Sequence, residues 1–168
     1  MIIRQADIED ALAIATIHVR SWQHAYRDLL PEDQLESLSV AEREQQWTRH
    51  LDPGNSTETV VIEEDGDIVG FASWGIIPDS QPVTAMLFSM YLDPAAMGKG
   101  YGSALMQAVE VDMIAAGALI GTLHVLRDNT PTRAFYERHG WQVVPDSEQT
   151  ETFFAINVDT VVYHKHFL

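Results

Sequence analysis

The sequence predicts an α/β fold: a single domain over residues 1–168, built on a mixed, twisted sheet with helices on both faces. Three observations carry this expectation. Apolar runs of strand length recur between Thr59 and Leu92, and two of them are joined by Asp65-Gly66, a strong hairpin turn. Beyond Leu92 the pattern alternates helix, strand and helix, which calls for crossover connections and parallel pairing. Between the two regimes lies a glycine-rich turn, with Gly98, Gly100 and Gly102, that leads directly into an amphipathic segment. With 168 residues, 46% hydrophobic and 21% charged, the chain has room for one proper core.

Met1–Ala6 reads as a strand. Asp7 caps a helix, with Asp10 in its first turn. Ile8, Leu12, Ala15, Val19 and Trp22 keep a spacing of three to four and give that helix one buried stripe. Pro31 and Glu32 start a second helix that carries Leu35, Leu38, Trp47 and Leu51. Asp52-Pro53-Gly54-Asn55-Ser56 is a surface loop. Thr59–Glu63 and Ile68–Ile77 form the hairpin, Pro78–Pro82 is a loop, and Val83–Leu92 is a strand that ends at the glycine turn. Ser103–Ala116 is a helix with Leu105, Met106, Val109 and Met113 inward. Leu119–Leu126 is a strand. A short helix follows over Pro131–His139, with Thr130 as its N-cap, Pro131 at the first helical position and Gly140 as its stop. Strands near Trp141–Val144 and Thr152–Val162 complete the order.

Composition narrows the function classes. Cysteine is absent, which removes disulfides, thiol nucleophiles and cysteine-ligated metals. The net charge is −15 with only two lysines, so a nucleic-acid partner is not expected. That charge is compatible with a cationic acceptor such as a polyamine, and also with plain solubility. No apolar run is long enough for a membrane span, and the first residues lack a signal-peptide pattern. A cytoplasmic protein without membrane association is the simplest expectation, and a homodimer is compatible with it. His164-Lys165-His166 lacks the further ligands of a metal site, so no metal is expected.

The glycine turn is an anion site in the making. Glycines allow positive φ and close approach of the backbone, and the first N–H groups of a helix lack internal partners and carry the positive end of its dipole. The segment is not a P-loop, because Lys99 is not followed by Ser or Thr, and Gly98-Lys99-Gly100-Tyr101-Gly102 lacks the Rossmann spacing. Lys99 in this turn, with Arg127, Arg133 and Arg138 around the later segment Asn129–Trp141, are the expected source of local positive charge.

Two segments together resemble the GNAT superfamily of N-acetyltransferases. Met97-Gly98-Lys99-Gly100-Tyr101-Gly102 is similar to that family's acetyl-CoA loop, Gln/Arg-x-x-Gly-x-Gly/Ala, with Met97 standing where the family has Gln or Arg. The segment from Asn129 through Phe135-Tyr136 to Gly140-Trp141 resembles the later family segment that ends Tyr-x-Lys/Arg-x-Gly-Phe/Trp. The resemblance covers essentially the whole chain and implies an acyl-CoA N-acyltransferase fold.

It also implies a chemistry: transfer of acetyl from acetyl-CoA to an amine, in a ternary complex and without a covalent enzyme intermediate. It assigns cofactor binding to the amides from Met97 and Gly98 through Lys99, Gly100, Tyr101, Gly102 and Ser103, with Arg133 nearby. Strand N–H groups around Met90, Tyr91 and Leu92 would face the oxyanion. Asn129 suits the amides of a pantetheine arm. Tyr136 is the expected proton donor to the departing thiolate. For the general base, Glu63 is the leading candidate, with Glu64, Tyr91, Asp93 and His124 also open. Trp22, Tyr26 and Trp74 are the expected acceptor pocket, because Ser21–Pro31 is similar to a stretch of many bacterial family members of unassigned substrate. The expected acceptor is a small-molecule primary amine such as a polyamine or basic amine. A protein N-terminus or lysine, or a low-turnover acyl-CoA-binding regulator, are the alternatives.

Overall fold

The computed structural model describes residues 1–168. Its strands are β1 (Ile2–Gln5), β2 (Glu58–Glu64), β3 (Asp67–Ile76), β4 (Thr84–Leu92), β5 (Ile120–Leu126), β6 (Gln142–Val143), β7 (Gln149–Phe153) and β8 (Ile156–His166). Its helices are α1 (Ala11–Ala25), α2 (Glu32–Glu36), α3 (Val40–His50), α4 (Tyr101–Ala115) and α5 (Thr130–Arg138). The strands form one sheet in the order β1-β2-β3-β4-β5-β8-β6, with β7 paired to β8 off that path. Only β4 and β5 run parallel, joined by the α4 crossover.

Local chemistry explains most of the boundaries. Asp65 and Gly66 both take positive φ, 53° and 90°, as a tight primed hairpin turn requires. Asp7 and Asp10 form a reciprocal capping box before α1. Four expectations need correction. Ile8 and Leu12 are exposed, and Ala11, Ile14 and Ile17 join Ala15, Val19 and Trp22 on the buried face of α1. The single helix expected after Pro31 is two, because Ser39 caps a new start and accepts from the Glu42 amide at 3.2 Å. The short helix begins one residue earlier, with Asn129 rather than Thr130 as its cap, accepting from the Thr132 amide at 3.4 Å. The last strand is a hairpin, β7–β8, turning at Phe154 and Ala155.

Alternation along the strands sets two layers of helices. Val60, Ile62, Ala72 and Trp74 face one way, into the main core with Leu105, Met106, Val109 and Met113 of α4 and Tyr136 of α5. Val61 and Phe71 face the other way, onto Ala11, Ile14 and Ala15 of α1 and Trp47 of α3. Helices thus cover both faces, as expected.

The sheet opens in the middle. β4 and β5 pair only from Thr84↔Ile120 to Leu87↔Leu123. On its other side β4 stays joined to β3 through Leu92, while β5 stays joined to β8 through Leu126. The β3–β4 register skips Phe88, passing from Trp74↔Leu87 to Ser73↔Ser89. Such a bulge bends the strand and raises its twist, which carries the end of β4 away from β5. From Phe88 to Leu92, the β4 edge that faces β5 has no strand partner.

His18 of α1 lies beneath this opening, among Trp47, Phe71, Tyr91 and Phe154. Its Nδ1 accepts from Trp47 Nε1 at 3.2 Å. Burial, with the Arg43 charge adding to it, lowers the imidazole pKa to about 3. In the unfolded chain the ring protonates near pH ~6.5. Between those values the unfolded state binds the extra proton, so stability is complete above the upper value and falls as pH drops through the window. His18→Gln, which cannot titrate, should show a smaller loss of Tm between pH 7 and pH 5 than the parent chain, and calorimetry at the two pH values checks it.

Candidate active site

A cleft of about 960 Å³ passes through the opening between β4 and β5. One end is walled by the loop before α4 and the N-terminus of α5, on one face of the sheet. The other is walled by α1, α3 and the β7–β8 hairpin, on the opposite face.

At the first end the chain presents unpaired backbone donors. Gly98 and Gly100 hold φ of 79° and 83°, a left-handed conformation that favours glycine, and a Cβ built on either meets nothing within 4 Å. They are there for the backbone path, and they leave the concave side of the loop free of side chains. Gly100 is the N-cap of α4 and offers no side-chain cap. No hydrogen bond within the chain takes up the N–H groups of Gly98 through Ser103. Unclaimed amides at a helix N-terminus form a cradle with the geometry that suits an anion such as a phosphate. Gly102 differs: its backbone is ordinary, and a Cβ there would make ordinary contact with the Phe135 ring at 3.4 Å.

In the middle of the cleft, the free edge of β4 alternates N–H and C=O groups toward the opening. Met90, Tyr91 and Leu92 all line it. The Leu92 carbonyl accepts from Ser21 Oγ at 2.7 Å, tying α1 to the strand. Tyr136 of α5 reaches the cleft from the α4–α5 face, 7% exposed, and its hydroxyl has no hydrogen-bond partner within the chain. Burial, reinforced by the nearby Tyr91 hydroxyl, pushes its pKa well above the usual phenol range, so it keeps its proton. Asn129, also buried, stands at the cap of the same helix.

His124 approaches from the other face. Leu123 and Val125 point into the main core, so alternation along β5 turns His124 the opposite way. It is the first β5 residue past the last pair with β4. Its Nδ1 lies 2.9 Å from Oε2 and 3.0 Å from Oε1 of Glu151 on β7. A carboxylate accepts, so in the neutral ring Nδ1 carries the proton and Nε2 keeps its lone pair. Thr160 Oγ1 donates to the same carboxylate, and these hydrogen bonds hold the Glu151 pKa below its ordinary value against the upward push of partial burial.

The wall on the α1 side of the cleft contains Trp22 and Tyr26. Trp22 Nε1 donates to the Tyr91 hydroxyl at 2.9 Å, and the Trp22 and Tyr26 rings meet edge to face. Burial raises the Tyr26 and Tyr91 pKa values. His50 of α3 contributes Nε2, 3.0 Å from both Ser73 Oγ and Thr57 Oγ1, and burial lowers its pKa.

Several sequence-derived candidates sit elsewhere. Glu63 is turned to the β1 edge, where Arg4 Nε donates to it at 2.8 Å, and it does not line the cleft. Trp74 is a core residue, 4% exposed under α4, with its Nε1 unbonded; Ser73, on the opposite face, is the β3 residue that reaches the cleft. Arg133 donates to the Tyr163 hydroxyl at 2.9 Å and to the Arg127 carbonyl at 2.8 Å, bracing α5 against β8. The side chains of Lys99 and Tyr101 turn to Glu64, leaving only their amides to the cradle. Arg127 pairs with Asp128 and Glu148. Of the cations expected to serve the loop, only Arg138 lines the cleft, and Met97 lies on its rim, 56% exposed. No group of three or more His, Asp or Glu side chains is placed to hold a metal ion, and no helix is long and apolar enough to cross a membrane.

Sequence reasoning missed Arg43, His50, Glu151 and Phe154. They come from α3 and the last hairpin, whose placement over the opening depends on long-range packing. For His124 a signal existed, since its apolar neighbours on both sides put it on the opposite face.

The same architecture occurs in known proteins. The chain is 31% identical over 138 residues to the uncharacterized N-acetyltransferase YuaI of Bacillus subtilis, covering 82% of this chain and 78% of that one. It is 26% identical over 145 residues to a spermidine N(1)-acetyltransferase of Thermoplasma acidophilum, covering 84% and 88%. Among solved structures, the PaiA N-acetyltransferase of Thermoplasma acidophilum in complex with coenzyme A superposes with a TM-score of 0.78 at 23% identity, over 99% of this chain and 98% of that one. A GCN5-related N-acetyltransferase of Rhodopseudomonas palustris gives a TM-score of 0.80 at 26% identity, over 99% and 95%. The profile of the acetyltransferase (GNAT) family matches residues 14–141, which take in the cradle, the β4–β5 opening and Tyr136. The chain belongs to the GNAT family of N-acetyltransferases.

Proposed function

We propose that this enzyme transfers acetyl from acetyl-CoA to the primary amine of a small molecule, by direct attack in a ternary complex. The observation that carries the reading is the position of Tyr136 and His124. They enter one cleft from opposite faces of the sheet, at the point where β4 and β5 part. Bound acetyl-CoA supplies a thioester carbon open to attack and a sulfur leaving group. The Gly98–Ser103 amides would hold its pyrophosphate, while the free edge of β4 and Asn129 would pair with the amides of its arm. N–H groups of the Met90–Leu92 edge polarise the acyl oxygen. His124 Nε2 takes the proton that the ammonium must lose, and Glu151 fixes the ring that does so. The Tyr136 hydroxyl donates to the sulfur as negative charge develops there.

The fit to CoA rests on the left-handed glycines and the unclaimed amides. Gly100→Val should lower CoA affinity at least about tenfold, or ~1.4 kcal/mol, because the valine backbone resists φ near 83° and the loop must change its path. Unchanged CoA binding by calorimetry in a folded variant would place the pyrophosphate elsewhere.

The polyamine expectation draws support from the net charge of −15 and from the activity named for the Thermoplasma relative. The lining opposes it, since Asp28 supplies its only carboxylate. The deciding experiment mixes the enzyme with acetyl-CoA and a panel of polyamines, alkylamines, amino acids and a peptide with a free N-terminus. Free thiol and an acetylated product from one small amine support the proposal. Release with the peptide alone makes this a protein acetyltransferase, and binding of CoA without amine-dependent release makes it a regulator. With an alkylamine, kcat/KM should climb as pH rises from 6 toward 9, because the neutral amine becomes more abundant. A flat profile would mean that release or a conformational step limits the rate.

A further inference from the structure

We propose that the acceptor is a small zwitterion, a primary amine that also carries a carboxylate or phosphonate, and that Arg43 binds its anionic group. This rests on the acetyl-transfer reading above and names the acceptor class for the same cleft.

The observation behind it is a cation left alone in an acidic protein. The chain has 25 Asp and Glu residues against 10 Lys and Arg. Six of the ten pair with a carboxylate: Arg4 with Asp10, Arg20 with Asp93, Arg27 with Asp28, Lys99 with Glu64, Arg127 with Asp128, and Lys165 with Glu110. Arg133 bonds the Tyr163 hydroxyl, and Arg138 lines the cleft from the α5 side. Arg43 is half-buried in the acceptor-side wall, and neither a carboxylate nor any other acceptor of the chain bonds its guanidinium. Partial burial lowers its pKa, which marks the cost of holding this charge away from water. A ligand anion would offset that cost.

The guanidinium is also held ready. Its carbon lies 3.8 Å from the centroid of the Phe154 ring. The ring shields one side of the cation, and its N–H groups remain free to fork onto two oxygens of a carboxylate. Phe154 and Ala155 form the β7–β8 turn with φ of 52° and 61°, a region that non-glycine residues enter at a cost. That turn sets the Phe154 ring against Trp22 and His18 as well as under Arg43.

The remaining charges of this wall agree. Asp28, its only carboxylate, is exposed and lies 4.0 Å from Arg27. His18 and His50 are kept neutral by burial. A polycation would find no anionic wall here. A zwitterion would place its anion on Arg43 and its apolar part among Trp22, Phe153 and Phe154.

The test compares matched amines that differ only in the anionic group. Phenylalanine is set against phenethylamine, leucine against isopentylamine, and an aminophosphonate is added to separate carboxylate from phosphonate. Spermidine serves as the polycation. The enzyme should favour the anionic member of each pair in kcat/KM by more than tenfold. Arg43→Gln should shrink that ratio at least tenfold, mainly through KM, and Arg43→Lys should restore part of it. Preference for spermidine or for the decarboxylated members overturns the proposal. So does a variant that lowers both members of each pair alike, as a merely structural arginine would.

Thermal protection of the CoA-bound enzyme by phenylalanine and leucine gives a readout independent of turnover. Protection that Arg43→Gln abolishes, with no thiol released from any amine, sinks the transfer reading and leaves the anion site standing. Absence of protection overturns the anion site whether or not other amines turn over.

Discussion

Tyr136→Phe should lower kcat by about 10²-fold or more and leave CoA affinity and Tm nearly unchanged. The ring fills the same space in the main core, against Phe135 and Trp141, so packing survives. Only the hydroxyl is lost, and that hydroxyl bonds nothing else in the chain, so its removal strands no partner. The elevated pKa matters to the argument. A phenol this reluctant to ionise is a hydrogen-bond donor throughout the working pH range, and it stabilises a thiolate as charge develops. The rival account treats Tyr136 as a packing residue. It expects a near-normal Phe variant, and for Tyr136→Ala it expects a loss of about 3 kcal/mol or more from the cavity. Steady-state rates for the Phe variant, paired with denaturation of the Ala variant, separate the two. A Phe variant with parental kcat, where chemistry limits the rate, removes Tyr136 from the mechanism.

The parts of this fold that were legible in the sequence are those decided by near neighbours in the chain. Asp65-Gly66 had to turn, and Leu105, Met106, Val109 and Met113 had to face inward because their spacing is helical. The glycine cradle was legible for the same reason, since φ at Gly98 and Gly100 is a local property. The α2–α3 break carried a local signal too, in Ser39 with Glu42 three residues on. The Phe154–Ala155 turn carried none, because its two residues are not the glycine or asparagine that such turns prefer.

Trp74 shows where reading by residue type fails. An apolar strand fixes which residues alternate but not which set meets the ligand, and a large aromatic suits either face. The structure turns Ser73, one residue back, toward the cleft. Glu63 fails for a topological reason. Its strand lies two places from the opening, and Arg4 from the neighbouring edge strand claims its carboxylate. Arg43 reaches the cleft, and Glu151 reaches His124 behind it, only after α3 and the last hairpin have docked, so no window of sequence shows them together.

His124→Gln should lower kcat/KM for an alkylamine by about 10²-fold or more at pH 7, and the deficit should narrow as pH rises. At neutral pH roughly one molecule in a thousand or fewer of such an amine is uncharged, so a base that accepts its proton has most to contribute there. Near pH 9 the neutral fraction is about a hundredfold larger, and the variant should approach the parent along a steeper slope. Glu151 acts one step removed, as a positioning residue. Glu151→Gln still offers an oxygen to Nδ1–H but loses the charge, which weakens the ring as a base. Its deficit at pH 7 should be smaller, about tenfold, and should narrow as pH rises, as for His124→Gln. The competing view makes the His124–Glu151 pair a clamp that holds the β7–β8 hairpin against β5. A clamp predicts lower Tm in both variants and a deficit that is the same at every pH. Profiles of kcat/KM from pH 6 to 9, with Tm measured alongside, decide the matter. A pH-independent loss would return the search for the base to a water held in the cleft.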